Sequence, residues 1–136
     1  MILNTIICYN NSEEVIRYIS SILEREKERI SFSVVINKGT SKDLKDLRYV
    51  SESLYPDKVF IYNPEKNLGY LNGMLFGYRE YIKLHSRPDF VIMSNTDIEI
   101  PDVGIYQYIE EKYSNTNIGC IGPSINIEMF MIIRLA

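Results

Sequence analysis

In FVIMSNTDIEIP, residues Phe90 to Pro101, four apolar residues run straight into Ser94-Asn95-Thr96-Asp97, and a proline stop follows. A carboxylate at the end of a buried run is either a turn or capping aspartate or an oxygen ligand for something held at that edge. A second stretch, NPEKNLGYLNG (Asn63 to Gly73), leads Asn67-Leu68-Gly69 into an apolar-periodic segment. Glycine allows close backbone approach or φ > 0, and the helix start behind it offers free N–H groups to a phosphate or sugar hydroxyl. The plainer reading is a loop-to-helix turn. Tyr9-Asn10-Asn11 and Asn37-Lys38-Gly39-Thr40 also follow apolar runs. Each cluster alone is ordinary turn chemistry; their shared position at strand ends is less ordinary.

The elements that must position these clusters alternate along the chain. Strands are expected at Ile2 to Cys8, Phe32 to Ile36, Val59 to Tyr62, Phe90 to Met93 and Ile118 to Ile121. Between them run helical stripes. Asn11 and Ser12 are placed to cap the first, with Glu13 and Glu14 at its positive end and Val15, Ile16, Ile19, Ile22 and Leu23 as its apolar face. Leu44, Leu47, Val50 and Leu54 mark the second, ending before Pro56; Leu71, Met74, Leu75, Tyr78 and Ile82 mark the third; Ile105, Tyr106, Ile109 and Tyr113 mark the fourth. The pattern predicts one α/β domain over residues 1–136, a mainly parallel sheet of about five strands with helices on both faces. In such a sheet ligands bind outside the carboxyl ends of the strands, where all four polar clusters lie.

This ordered set resembles the inverting glycosyltransferases of family 2 and their GT-A nucleotide-sugar-binding fold. TIICYNN is similar to that family's opening strand and Tyr-Asn pair, VVINKGTSKD to its second strand and turn, and NLGYLNGMLFG to its Asn-x-Gly segment. MSNTDIEIP resembles the Asn-x-Asp form of the DXD motif with its proline, and IGCIGPSI the strand beyond the next helix. The motifs occur in order over residues 2 to 125. The resemblance implies a nucleoside diphosphate sugar as donor, a saccharide acceptor, and Mg²⁺ or Mn²⁺ as Lewis acid for the departing diphosphate. It implies that Tyr9, Asn10, Asn37, Asn67, Gly69, Asn95, Thr96 and Asp97 bind the nucleotide sugar and that Asp97 holds the metal. Glu99, two residues on, would share a face with Asp97 in a continuing strand and reads as a second ligand or a solvated glutamate.

Departures from that pattern stand beside the matches. Asn37 replaces the usual aspartate after the second strand, Met74 and Leu75 replace asparagines, and Thr96 replaces a second acidic residue. Family members continue for roughly another hundred residues, with the acceptor half and the catalytic base that inverting transfer requires. Past Pro123 the only acidic residue is Glu128 in the apolar SINIEMFMIIRLA, so no catalytic residue is assigned. The expectation is a shortened domain that binds donor. Its apolar tail would serve as a final strand, a self-association surface or the stub of a longer protein.

Bulk properties narrow the rivals. At 136 residues and 46% hydrophobic the chain builds a core without disulfides or structural metal, and its net charge of -3 excludes a general nucleic-acid or acidic-membrane binder. Cys8 and Cys120 read as buried free thiols in a reducing compartment, with one histidine, His85, too few for a metal pair. No apolar run approaches the roughly 20 residues of a membrane span, so a cytoplasmic location, or one at the inner membrane face, is expected. Two alternatives remain. One is a non-enzymatic, degenerate nucleotide-binding or partner-interaction domain. The other is a phosphoacceptor receiver, which pairs acidic residues where this chain has Tyr9-Asn10.

Overall fold

The computed structural model describes residues 1–100, 104–114, 119–121 and 131–133. Strand β1 (Ile2–Tyr9) leads to helix α1 (Ser12–Glu26), β2 (Ile30–Lys38) and α2 (Ser41–Tyr49), which continues as a π-helical turn, Val50–Leu54. Then follow β3 (Val59–Tyr62), α3 (Tyr70–Leu84), β4 (Phe90–Met93), α4 (Gly104–Tyr113), β5 (Cys120–Ile121) and β6 (Met131–Ile133). The order across the sheet is β3-β2-β1-β4-β6-β5. Strands β1 to β4 pair in parallel, and β6 runs antiparallel to both β4 and β5. The sheet is therefore mainly parallel, as expected, with a sixth strand drawn from the apolar tail. The described part of that tail is paired inside the chain's own sheet. The Gly122-Pro123 and Glu128 positions, and the rest of the tail, lie outside the described residues.

Alternation along each strand builds two layers. Ile2, Ile6 and Cys8 of β1, Phe32, Val34 and Ile36 of β2, and Phe90 and Ile92 of β4 face α1, α2 and α4 in the larger core. Each such fully buried aliphatic stabilises by about 1.5–3 kcal/mol relative to exposure. Val91 and Met93 face the other way, onto Met74 of α3. Helices thus cover both faces.

The face of α3 differs from the expected stripe. Gly73, Met74, Gly77 and Tyr81 are buried, whereas Leu71 and Ile82 are exposed. Two glycines let this helix lie close on the sheet: a Cβ at Gly77 would sit 2.5 Å from Ser33 Oγ and 2.6 Å from Val35 Cγ2. The contact surface keeps Met74 of the stripe, with Leu75 and Tyr78 packed beside it, and adds Gly73 and Gly77, which a hydrophobic stripe does not mark. Cys8 is buried as expected, but Cys120 is exposed. The strand carrying it is two residues long and at the sheet edge, too short to be covered. Among the described residues no helix is long and apolar enough to cross a membrane.

Candidate functional site

Strand order reverses at β1, which has β2 on one side and β4 on the other. Such a switch point opens a crevice at the carboxyl ends of the strands. The register widens it here. The pairing of β1 with β4 stops at Thr5 and Met93, while β1 continues through Ile6–Tyr9 beside β2. The space beyond Met93 is a cavity of about 280 Å³ lined by Ile7, Tyr9, Asn11, Glu14, Tyr70 and Ser94 to Asp97. A larger one of about 570 Å³ lies against α1 and shares Glu14, Thr96 and Asp97, with Arg17, Arg25 and Glu99 in its wall.

The structure brings Tyr9, Asn95, Thr96 and Asp97 together around the smaller cavity. Tyr9 is about half exposed (49%), and the Lys38 ammonium lies over its ring, 5.5 Å from the centroid. Asn10 takes a left-handed backbone, φ 57°, which asparagine tolerates better than most residues. Its N–H donates to the Lys38 carbonyl at 2.9 Å, and it borders a neighbouring cavity of about 500 Å³ with Thr40 and Asp43. β4 ends at Met93, so Glu99 does not sit in a continuing strand beside Asp97. It is exposed in the wall of the larger cavity.

Asn37, Asn67 and Gly69 form a second, linked group. Gly69 has φ 74° and ψ -179°, a region essentially reserved for glycine. Asn67 Oδ1 accepts from its N–H at 2.8 Å. Asn37, buried at the end of β2, donates through Nδ2 to the Gly69 carbonyl at 2.8 Å and accepts through Oδ1 from the Leu68 N–H at 3.1 Å. Its amide thus clasps the backbone that enters α3. The next residue, Tyr70, lines the small cavity; burial, then the nearby Asp97 carboxylate, pushes its hydroxyl pKa up.

Three features escape a reading of the sequence. Ser94, Asn4 and Tyr18 close a buried ring. The Ser94 hydroxyl donates to Asn4 Oδ1 at 3.0 Å, Asn4 Nδ2 donates to the Tyr18 oxygen at 3.1 Å, and Tyr18 and Ser94 hydroxyls meet at 2.9 Å. The one sign of it in the sequence is an asparagine inside the apolar first strand. Glu14 accepts from the Thr96 hydroxyl and from Asn11 Nδ2. Asn11 itself stands at the N-cap of α1 without a capping bond from its side chain; its Oδ1 accepts from Tyr9 N at 2.7 Å. The sequence offers only position: Tyr70 directly follows Asn67-Leu68-Gly69, and Glu14 lies just past Tyr9-Asn10-Asn11.

Asp97, which lines the cavity, carries carboxylate oxygens, the ligand type of hard cations. Among the described residues no three His, Cys, Asp or Glu side chains gather tightly enough to hold a metal by themselves. A single carboxylate fits a cation that fills its other positions with phosphate oxygens and water, the usual habit of Mg²⁺.

No protein-family model matches the chain, and no curated protein sequence matches it significantly. Solved structures do. The mannosyltransferase PcManGT from Pyrobaculum calidifontis, solved in complex with GDP-Man and Mn²⁺, is similar over 98% of this chain with a TM-score of 0.78 at 12% identity. TarS 1-349 of S. aureus is similar over 98% of this chain with a TM-score of 0.63 at 14% identity. The chain spans 44% and 47% of their lengths. The fold is therefore that of part of a GT-A glycosyltransferase domain.

Proposed function

We propose that this chain is the donor-binding part of a glycosyltransferase, holding a nucleoside diphosphate sugar and a divalent cation in the crevice between β1 and β4. The observation that carries the reading is the meeting of Tyr9, Tyr70 and the Asn95–Asp97 turn at the switch point of a GT-A-type sheet. Tyr9, with Lys38 over its ring, and Asn10 border the base. Asn67 and Asn37 hold the Gly69 corner, where the first N–H groups of α3 suit a phosphate or a sugar hydroxyl. Asp97 holds the cation, which when bound would offset charge on the departing diphosphate. With its acceptor half, such a domain inverts the anomeric carbon as it moves the sugar to a saccharide. The general base for that step is not assigned to any residue of this chain.

Calorimetric titration of UDP, GDP and dTDP, with and without Mn²⁺, tests the reading on wild type and Asp97→Ala. The expected result is Mn²⁺-dependent binding of one nucleotide that weakens at least about tenfold in the variant, or about 1.4 kcal/mol. A folded protein that binds none of them would leave the partner-interaction alternative in front.

A further inference from the structure

The Asn95–Asp97 turn is fastened on both sides. Before it, Ser94 is locked into the buried ring with Asn4 and Tyr18. Within it, the Thr96 hydroxyl donates to Glu14 Oε1, the same oxygen that accepts Asn11 Nδ2 at 2.9 Å. Asn11 Nδ2 also lies 3.4 Å from Thr96 Oγ1, and Asn11 Oδ1 holds the Tyr9 N–H. One carboxylate oxygen on the first turn of α1 thus ties the exit of β1 to the exit of β4. Glu14 is partly buried, so water competes less for these bonds than at a solvated contact.

The plainer role for Glu14 is a negative charge at a helix N-terminus. Glu13 provides the contrast. It shares the first turn of α1, but its side chain is 84% exposed and pairs with Lys42 at 3.1 Å. Both glutamates serve the helix dipole; Glu14 is the one that reaches Thr96.

We propose that Glu14 is a positioning residue: its carboxylate braces Thr96 so that the neighbouring Asp97 is presented to the crevice, and it couples that turn to the Tyr9–Asn10 loop. As a statement about nucleotide binding this rests on the donor-site reading above. As a statement about the turn it stands on the hydrogen bonds alone.

Two measurements on Glu14→Ala, Glu14→Gln, Thr96→Val and Glu13→Ala separate these levels. Amide hydrogen exchange on the ligand-free protein reads the turn itself. Exchange at residues 95–97 should rise about tenfold in Glu14→Ala and Thr96→Val, with no further rise in the double variant. It should stay near wild type in Glu13→Ala and in Glu14→Gln, whose amide oxygen can accept both bonds. Titration of UDP, GDP and dTDP reads the site. The Mn²⁺-dependent gain in affinity should fall about tenfold in Glu14→Ala and stay close to wild type in Glu14→Gln. Unchanged exchange in Glu14→Ala, or an equal rise in Glu13→Ala, overturns the brace. If wild type binds a nucleotide and Glu14→Ala binds it with the same Mn²⁺ gain, the positioning role is overturned while the donor site stands. If wild type binds none, the donor reading and this role in binding fall together, and exchange still decides the brace. Should Glu14→Ala not fold, Thr96→Val reaches the same bond from its other end.

Discussion

Asp43 Oδ1 lies 3.1 Å from the backbone nitrogen of Ser12, so a carboxylate at the start of α2 also caps the start of α1. Its other oxygen accepts from the Thr40 N–H and hydroxyl, each at 2.7 Å, in a capping box. Two helix N-termini beside the candidate site are thereby satisfied by one side chain.

That arrangement predicts an acid-sensitive fold. The Thr40 hydroxyl and N–H, then the Ser12 side chain and, least, its N–H, hold the Asp43 carboxyl well below the usual carboxylate range, against the opposing effect of burial. A folded-state pKa below the unfolded value of about 3.9 means that the stabilisation is complete above that pH and drains away as pH falls. Asp43→Asn should lower stability at neutral pH by about 1–3 kcal/mol, because its amide can accept on one side only. It should also flatten the loss of stability below about pH 4. Thermal melts from pH 2 to pH 7 on both proteins check this; parallel curves would remove Asp43 as the cause.

Asn37 makes a sharper test of the corner that feeds α3. Asn37→Asp keeps the acceptor for Leu68 N but replaces the donor to the Gly69 carbonyl with an oxygen. A buried carboxylate facing a carbonyl 2.8 Å away is repelled and left unsatisfied. A loss of about 1–3 kcal/mol in urea unfolding is expected, with faster amide exchange at residues 68–70. An unchanged midpoint would show that the clasp contributes nothing to stability.

These two residues also mark where the sequence is legible. The strand and helix alternation is readable because β1 to β4 are apolar runs and α1 is amphipathic, and the polar clusters at strand ends follow directly. What each cluster does depends on partners far along the chain. Asn37 is spent on Leu68 and Gly69, and Glu14, which reads locally as a helix-dipole charge, is joined to Thr96. The Asn4–Tyr18–Ser94 ring needs residues up to 90 positions apart. The face of α3 is partly hidden for another reason: glycine carries no hydrophobic signal, and Gly73 and Gly77 lie against the sheet beside Met74.

The two thiols should separate cleanly. Cys8 is buried at the end of β1, and burial pushes its pKa above the ordinary thiol value, whereas Cys120 is exposed. Thiolate is the reactive form, so burial and a raised pKa both slow Cys8. Ellman's reagent at pH 8 should titrate one thiol in the native protein and two after denaturation, with mass spectrometry placing the first at Cys120. Equal rates for both would contradict the burial of Cys8.

Adding a methyl group at Gly77 and at Gly69 should destabilise the protein for different reasons. In a free helix Gly→Ala is favourable by about 1 kcal/mol. At Gly77 the new Cβ meets Ser33 Oγ at 2.5 Å, Val35 Cγ2 at 2.6 Å and Thr5 Cγ2 at 3.1 Å, so those buried side chains or α3 itself must shift. Overpacking of that kind costs about 1–3 kcal/mol, which outweighs the gain in propensity. Gly77→Ala should therefore unfold at lower urea by about 1–2 kcal/mol. At Gly69 nothing lies within 4 Å of the added atom, but the backbone at φ 74° disfavours any side chain. Gly69→Ala should cost about 1–3 kcal/mol through backbone strain and move Tyr70, which follows it directly. The two are told apart by exchange: Gly77→Ala should loosen amides along the middle of α3, and Gly69→Ala only those at residues 68–71. A Gly77→Ala protein as stable as wild type would mean that the helix does not rest on Ser33 and Val35.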